Sequence, residues 1–234
     1  MNVFDIEFFE GVSAESKAKF ERAMVSRPAR KGEMIFLQEE DAQFFYIIKS
    51  GWVKLFRETL DGEEAIVDII TDGHVFGNHA LFDESKYSYS AEAVEQTTLF
   101  QMPLKTLMDC MNTDQKLAFN LIRLISIRQK KHRREIEHLT IQTAPQRIGC
   151  FLLRLCKDRA AKNVTLHLPY DKSLIASRLG MKPETFSRAL SKLREEVGMD
   201  ITGSTIILSS VNALAEYTCS ACTESFPCED VKAF

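Results

Sequence analysis

The stretch PYDKSLIASRLGMKPETFSRALSKLR, which spans Pro169–Arg194, contains two short helical patterns that flank a glycine turn. The first pattern carries Leu174, Ile175 and Leu179. The second begins at Pro183, whose missing N–H costs nothing at a first helical position. At about 100° per residue, the second helix has one apolar and one polar face. The apolar face consists of Phe186, Leu190 and Leu193, and the polar face of Glu184, Ser187, Arg188 and Ser191. This pattern predicts a helix-turn-helix whose polar, arginine-bearing face binds DNA.

The composition is that of an ordinary soluble globular protein. The chain has 234 residues, of which 45% are hydrophobic and 27% charged, so it has room for one large or two modest domains. No run approaches the roughly 18 apolar residues of a membrane helix, and the N-terminus lacks the layout of a signal peptide. The sequence therefore predicts a cytoplasmic protein with no membrane partner.

The charges are unevenly distributed along the chain. The formal net charge is −3, yet residues 123–134 hold six basic side chains and no acidic one, whereas the first half is rich in acidic residues. This asymmetry is typical of an acidic sensing half joined to a basic half that binds nucleic acid.

Residues 29–102 have the pattern of short strands separated by glycine turns. The strand-like runs are 33–37, 44–48, 52–57, 65–70, 74–76 and 97–101. Asp61 and Gly62, between two alternating runs, predict a hairpin. A short helical segment, residues 4–27, and then Pro28 precede this region, and Pro103 ends it. We expect a compact antiparallel β-barrel or roll.

A long helix is predicted over residues 114–140. Its apolar residues recur at alternating steps of four and three, which is the pattern of a coiled-coil seam with two polar members. The seam consists of Ala118, Ile122, Ile125, Gln129, His132, Ile136 and Leu139. We expect this helix to pair with a copy of itself, which would place two DNA-reading helices one DNA turn apart on a near-palindromic site.

Beyond the long helix, the sequence predicts a winged helix. Thr143, Ala144 and Pro145 break the helix and form a predicted hinge. A helix at 146–157 and a strand at 164–168 lead into the helix-turn-helix, and residues 201–208 have the pattern of a hairpin wing. The predicted fold class is α+β, with a β-roll at 1–113, a dimerisation helix at 114–142, a winged helix at 143–217 and a cysteine-containing tail at 218–234.

These elements, in this order, resemble the Crp/Fnr family of bacterial transcription regulators over roughly residues 10–215. The most specific match is Glu184-Thr185-Phe186-Ser187-Arg188, which fits the family's E-x-x-S-R pattern. With Pro183 in front, the segment is similar to the nitric-oxide-responsive denitrification regulators (the Dnr/Nnr-type branch). Supporting matches are residues 50–55 in the roll and 145–148 after the hinge. The resemblance implies a cyclic-nucleotide-binding-like roll as a sensor and RNA polymerase as a partner.

The resemblance also implies roles for single residues at the DNA. Glu184 would accept a hydrogen bond from a cytosine amino group, Ser187 would contact a thymine, and Arg188 would donate to guanine O6 and N7. Pro183 stands where the cAMP-receptor type has an arginine, which indicates half-sites of the TTGAT kind rather than TGTGA. Thr185 belongs to the same segment. The residues expected at the DNA backbone are Lys172, Arg178 and Lys192.

The sensor segment departs from that of the cyclic-nucleotide-binding relatives. Their Gly-Glu-x-Ala-Leu segment is Gly-Asn-His-Ala-Leu at residues 77–81 here, and Tyr87 stands where their phosphate-binding arginine is expected. Because arginine supplies the bidentate contact to a phosphate, we expect an effector other than cAMP. Asn78, His79, Tyr87 and Ser88 are predicted to line a pocket for another ligand.

Histidines and cysteines offer two further effector hypotheses. His74, His79 and His132 are candidates for binding haem or a metal, and the alternative is packing or hydrogen bonding, with His132 fixing the register of the seam. Cys219, Cys222 and Cys228 have a spacing that suits an iron–sulfur cluster or zinc. Their fourth ligand would be Glu224, Glu229 or a residue from elsewhere, and the alternative is a redox-prone or dispensable tail.

Two other classes of function remain as alternatives. A cupin-like metalloenzyme is disfavoured because His74 and His79 are five residues apart with no second pair, and no common catalytic motif occurs, so we expect no enzyme activity. A DNA-binding protein that needs no ligand is disfavoured because Gln129 and His132 leave the helix pairing adjustable. The favoured mechanism is an effector that changes packing along residues 114–140 and reorients the winged helices through the hinge.

Overall fold

A computed structural model describes residues 2–82, 85–156, 162–168, 170–222 and 226–228 of the chain. The chain divides into two compact units, Met1–Arg128 and Gln129–Phe234, and the boundary lies within one long helix. Pro169, at the start of the helix-turn-helix stretch, and the candidate ligands Glu224 and Glu229 lie outside the described residues.

The first unit consists of short strands, with one helix before them in the chain and two helices after them. Two 3-10 turns, Val3–Asp5 and Glu7–Phe9, precede α1, and a third, Asn78–Leu81, follows β6. The longer elements are α1 (Ala14–Ala23), β1 (Val25–Ala29), β2 (Met34–Phe36), β3 (Phe44–Ser50), β4 (Val53–Glu58), β5 (Glu64–Ile70), β6 (Val75–Phe76), β7 (Ser90–Ala93), β8 (Thr97–Pro103), α2 (Leu104–Thr113) and the start of α3 (Gln115–Ile141).

The strands form two antiparallel four-stranded sheets, in the orders β1-β8-β3-β6 and β2-β7-β4-β5. The predicted β-roll is thereby confirmed. The predicted hairpin joins β4 and β5, with Glu58 opposite Glu64, and Gly62 in its turn has φ of +77°. A positive φ favours glycine because it has no Cβ, so the Asp-Gly signal found the correct turn.

Four elements of this unit differ from the sequence prediction. The helical segment ends at Ala23 rather than 27, and Pro28 lies inside β1. The sheet tolerates Pro28 because β1 is an edge strand that pairs only with β8. The strand β7 and the helix α2 were not predicted. β7 has the sequence Ser-Ala-Glu-Ala, which lacks the β-branched and aromatic residues that mark strands.

The core of the first unit is rich in phenylalanine. Phe9, Phe20 and Phe45 are fully buried, and their rings meet edge to face, with centroids 5.1 Å apart for Phe9 and Phe20 and 6.1 Å apart for Phe20 and Phe45. Rings in this arrangement bury large apolar areas and add a favourable quadrupole interaction. This cluster therefore packs the N-terminal turns and α1 against β3.

Asp114 stabilises the start of α3. Its carboxylate accepts hydrogen bonds from the backbone N–H of Ser13 at 2.9 Å and of Lys116 at 3.1 Å. Burial acts to raise the pKa of Asp114, but hydrogen bonds from Ser13, Ser16 and the Leu117 N–H outweigh it and lower the pKa to about 2. The ionised side chain caps α3 and connects it to the residue that precedes α1.

The second unit contains the end of α3 and a winged helix. Its further elements are α4 (Ala144–Leu155), β9 (Lys162–His167), α5 (Lys172–Arg178), α6 (Pro183–Val197), β10 (Met199–Thr202), β11 (Thr205–Ser210) and α7 (Val211–Cys219). The strands form one antiparallel sheet in the order β10-β11-β9, and β10 and β11 are the predicted wing. The predicted break between α3 and α4 is present, and the Gln146 side chain accepts a hydrogen bond from the Thr143 N–H at 2.9 Å.

The helix α7 was not predicted, and it extends two residues beyond the predicted end of the winged helix at 217. It includes Cys219, which we had assigned to a tail beginning at 218. α7 packs against α4, where Gly149 faces Thr218. Its apolar side chains Val211, Leu214 and Ala215 are buried in the core of the winged helix.

The long helix α3 exposes the apolar residues of its predicted seam. Ile122, Ile125, Ile136 and Leu139 are all exposed, whereas Leu117 and Leu121 are buried in the core of the roll. Of the other seam members, Gln129 and His132 are exposed and Ala118 is half-buried. In the part of the chain that the structure describes, every helix is too short or too polar to span a membrane.

Candidate nucleic-acid interface

The turn between α5 and α6 is built around one glycine. Gly180 has φ of +66°, and the N–H of Met181 donates to the carbonyl oxygen of Ala176 at 3.0 Å, which closes the turn. A Cβ at Gly180 would lie 3.2 Å from Cδ2 of Leu139, so the end of α3 packs closely against the turn. The backbone conformation and this close contact together favour glycine here.

The helix α6 has the two faces that its sequence predicts. Its buried face packs against α4 in the core of the winged helix. This buried face consists of Phe186, Ala189, Leu190, Leu193 and Val197. The opposite face is exposed, with Thr185 half-buried at its edge. The exposed polar residues of its first three turns are Glu184, Ser187, Arg188, Ser191 and Lys192, and Arg194, Glu195 and Glu196 are exposed near its end.

The exposed face of α6 offers hydrogen-bonding groups of both kinds. A shallow open groove runs along it, lined by Ser187, Arg188, Ser191, Lys192, Glu195 and Glu196. Glu184 lies in the first turn, where the helix dipole stabilises a negative charge. A guanidinium, a carboxylate and two hydroxyls on one accessible face can form the donor and acceptor pairs that distinguish base pairs in the major groove.

The three residues expected at the DNA backbone have different surroundings. Lys172, at the start of α5, and Lys192 are exposed. Arg178 instead forms an ion pair with Glu135 of α3, and the two side chains are only 15% and 19% exposed. Contact of Arg178 with the DNA backbone stays a prediction, and sequence periodicity could not show that α3 brings a carboxylate to this arginine.

Tyr87 occupies a position in the core of the roll. Its ring stacks on Phe36 with centroids 3.7 Å apart, and its hydroxyl donates to the carbonyl oxygen of Phe44 at 2.7 Å. Burial raises the pKa of Tyr87, so the group stays neutral. The position that the family resemblance assigns to a phosphate-binding arginine is thus filled by an uncharged, hydrogen-bonded ring.

The other predicted pocket residues of the roll lie near one another. The ring nitrogen Nε2 of His79 accepts from the backbone N–H of Ser88 at 3.0 Å, and the His79 ring lies 4.4 Å from that of Tyr89. Asn78 is buried, and its Oδ1 has no hydrogen-bond partner. His132 is exposed on α3 in the single chain. His74 bonds through Nδ1 to the carbonyl of Thr71 at 2.9 Å.

Arg128 makes a contact with the roll that sequence reasoning missed. We had counted it only as part of the basic run, but its guanidinium donates to the carbonyl oxygen of Val75 in the roll. Burial lowers the pKa of Arg128, and the charges of Tyr89 and Asp68 act in the opposite direction. Helical spacing does not reveal this contact, because Val75 lies 53 residues earlier in the chain.

One cysteine of the tail, Cys222, lies near a histidine that the sequence did not single out. The Cys222 sulfur lies 3.8 Å from Nε2 of His138, near the end of α3. Among the residues with assigned positions, no group of three or more His, Cys, Asp or Glu side chains is arranged to hold a metal ion. All six cysteines are free thiols.

Comparison with known families matches both units. A model of the cyclic nucleotide-binding domain matches residues 26–114, and one of the Crp-like helix-turn-helix domain matches residues 146–217. The cyclic AMP receptor protein of Thermus thermophilus is 31% identical over 166 residues, which cover 71% of this chain and 75% of that protein.

Solved structures agree with this assignment. A protein from Ruegeria pomeroyi is 32% identical and has a TM-score of 0.67, with 93% of this chain and 96% of that one covered. The crystal structure of DNR from Pseudomonas aeruginosa is 28% identical and has a TM-score of 0.50, with 91% and 94% covered. With both domain families present in this order, and a relative above 30% identity over most of its length, the chain belongs to the Crp/Fnr family of DNA-binding transcription regulators.

Proposed function

We propose that this regulator acts as a homodimer that inserts α6 of each protomer into the major groove of a palindromic site with TTGAT-type half-sites. The observation that carries the proposal is the two-faced α6, whose apolar side is buried and whose side with Glu184, Ser187 and Arg188 is exposed. Glu184 accepts from cytosine, Ser187 contacts thymine, and Arg188 donates to guanine O6 and N7. Lys172 and Lys192 contact the DNA backbone. Thr185 lies at the edge of the same exposed face of α6.

The half-site preference rests on Pro183 and on the likeness to DNR. Pro183 immediately precedes Glu184, where the cAMP-receptor type has an arginine, so the chain lacks one of the donors that would read a TGTGA half-site. The likeness to DNR supports placing this chain near the Dnr/Nnr-type branch.

Homodimer formation rests on the exposed seam of α3. A row of isoleucines on one face of a long helix is unfavourable in water unless another surface covers it. A second copy of the same helix satisfies this requirement and supplies the two-fold symmetry of a palindromic site. The same proposal divides the chain into a sensor roll (1–113), a dimerisation helix (114–142) and a winged helix (143–217). It also includes a cytoplasmic location and cooperation with RNA polymerase.

The effector is a signal other than cAMP. The buried, hydrogen-bonded Tyr87 supports this, because a cyclic phosphate would find an uncharged ring there. The candidate histidines fit nitric oxide sensed through haem, and the tail cysteines fit a redox signal. His79 would have to release the Ser88 N–H before its Nε2 could bind iron. The effector shifts the population of α3 packing arrangements, and the break between α3 and α4, at residues 142–143, passes the change to the winged helices.

A DNA titration with matched arginine variants tests the proposal. Arg188→Ala should weaken binding to a TTGAT palindrome by about 1–3 kcal/mol and abolish the preference for guanine at one base pair, as measured by fluorescence anisotropy with each base substituted. Arg194→Ala, an exposed arginine of the same helix about 240° further around it, is the control and should retain that preference.

Three results would contradict the proposal. A uniform loss of affinity across all base substitutions would make Arg188 a phosphate contact instead. Tighter binding to a TGTGA palindrome than to a TTGAT palindrome would reject the half-site assignment. A rise in affinity on adding cAMP to the same titration would reject the effector assignment.

A further inference from the structure

The side of α3 that packs on the roll ends in an arginine. Leu117 and Leu121 are buried in the core of the roll, and Leu124 packs against the same core. Arg128 follows Leu124 by four residues, so it continues the alternating steps of four and three by one more turn. We call Leu117, Leu121, Leu124 and Arg128 the roll-facing stripe. The stripe thus passes from apolar side chains to a charged one at the last residue of the first unit.

The guanidinium of Arg128 is bonded to the roll. It donates to the carbonyl oxygen of Val75, on β6, which lies at the edge of its sheet. Burial acts to lower the pKa of Arg128, whereas Tyr89 and Asp68 act to raise it, so both of these side chains lie near the guanidinium. A guanidinium keeps its charge in a protein, and a charge that leaves water needs partners. Arg128 therefore depends on its contact with Val75.

The partners of Arg128 belong to the turn that carries the predicted pocket residues. Val75 begins the segment 75–81, which we call the pocket turn. Within it, the Gly77 N–H donates to the hydroxyl of Tyr89 at 3.3 Å, and the centroid of the Tyr89 ring lies 4.4 Å from that of His79. A shift of the pocket turn therefore acts on Arg128 in two ways, through the Val75 carbonyl and through Tyr89.

We propose that Arg128 is the positioning residue that holds α3 against the pocket turn, and that an effector-induced shift of this turn releases it. A hydrogen bond is directional and weakens steeply when its geometry is lost, so a small displacement of the Val75 carbonyl is enough to break this one. The freed guanidinium moves into water, whereas the three leucines of the stripe stay in the core. The contact thus converts a local change in the roll into freedom for one turn of α3.

Release of Arg128 also affects the seam of α3. The seam residues Ile125 and Gln129 each follow a member of the roll-facing stripe by one residue, which places them about 100° around the helix from it. Because a helix turns as a unit, a change at the stripe reorients the seam that meets the second protomer. This step rests on the proposed function and takes the form of altered DNA affinity.

Hydrogen–deuterium exchange of the full-length protein without DNA tests the positioning role. Arg128→Met keeps a long side chain but removes the donor, so the amides of residues 121–128 and of the pocket turn should exchange about tenfold faster. Arg128→Lys retains a charged donor and should restore most of the protection. The control is Arg123→Met, which removes exposed ion pairs between α3 and Glu7 and Glu10 and should exchange like the wild type.

A second variant tests the route from the pocket turn to α3. Tyr89→Phe keeps the ring but removes the hydroxyl that accepts from Gly77, so it should loosen the pocket turn and speed exchange at residues 121–128. In the Arg128→Met background, Tyr89→Phe should add nothing at residues 121–128, because the connection is already broken. A simple loss of stability would instead add in both backgrounds.

Other outcomes overturn the proposal. Unchanged exchange in Arg128→Met, or equally faster exchange in α4 of the winged helix, would reject the positioning role. An equal effect of Tyr89→Phe in both backgrounds would reject the route through Arg128. Arg128→Met should change affinity for a TTGAT palindrome at least about threefold without added effector, and unchanged affinity would reject the step from α3 to DNA. The exchange measurements need no DNA, so a failure of every protein, wild type included, to bind the palindrome would count against the proposed function alone.

Discussion

Arg178 and Glu135 form an ion pair, and the same arginine is a candidate for contact with a DNA phosphate. The pair is largely shielded from water, so its attraction is screened less than that of a surface pair. A guanidinium that already binds a carboxylate must release it before it can bind a phosphate. DNA binding through Arg178 therefore competes with an internal contact.

Replacing Glu135 with glutamine should strengthen DNA binding. The amide keeps the size of the side chain but removes its charge, which weakens the contact that holds Arg178, for a gain of about 1 kcal/mol, or about fivefold in affinity. Arg178→Gln should weaken binding to all sequences alike and reduce the slope of log affinity against log salt by about 1. Both effects are measured by anisotropy titrations at several salt concentrations.

The double variant separates competition from a change in stability. If Glu135→Gln acts by freeing Arg178, it should have no effect when Arg178 is already glutamine. An equal gain in both backgrounds would show that Glu135 acts by another route, and no gain in either would exclude the phosphate contact.

At the level of elements, the contact between α4 and α7 depends on the absence of a side chain at Gly149. A Cβ there would lie 2.1 Å from Oγ1 of Thr218, a distance that real Cβ atoms do not adopt. Thr218 is fully buried, so its side chain has little room to move away. The two helices can approach this closely only because position 149 is a glycine.

Gly149→Ala should therefore destabilise the winged helix by about 1–3 kcal/mol, the usual range for overpacking, despite the better helix propensity of alanine. In a Thr218→Ala background the obstructing oxygen is gone, and the same change should cost at least about 1 kcal/mol less. Chemical denaturation of the wild type, the two single variants and the double variant gives the interaction free energy between positions 149 and 218. Additive effects of the two changes would show that the helices do not meet at these residues.

The same elements show what the sequence could predict and what it could not. The helices α3 and α6 were predicted because their apolar periodicity extends over many residues, and the hairpin β4–β5 because Asp61-Gly62 marks its turn. Short β7 and helix α7 lack such a signal. The contacts of Arg178 with Glu135 and of Cys222 with His138 join residues 43 and 84 positions apart, which no local pattern reveals.

For the whole molecule, two-fold assembly depends on which face of α3 is covered. Ile125 lies on the predicted seam and is 47% exposed, whereas Ile127 lies about 200° away around the helix and is 49% exposed. The two residues have the same type, element and exposure in the single chain, so they form a matched pair. Only the seam residue should become buried when a second copy binds.

Ile125→Lys should dissociate the dimer, because pairing would bury a charge from each protomer at the seam. We expect a loss of at least about 2 kcal/mol, which weakens dimerisation about thirtyfold. Ile127→Lys should leave the dimer intact, and sedimentation velocity over a range of concentrations distinguishes the two cases. Affinity for a palindromic site should fall with Ile125→Lys, while affinity for a single half-site should change little, because the winged helix itself is unaltered. Dissociation by both variants, or by Ile127→Lys alone, would show that another face of α3 pairs the protomers, and the spacing of the two α6 helices would then have to be derived from that face.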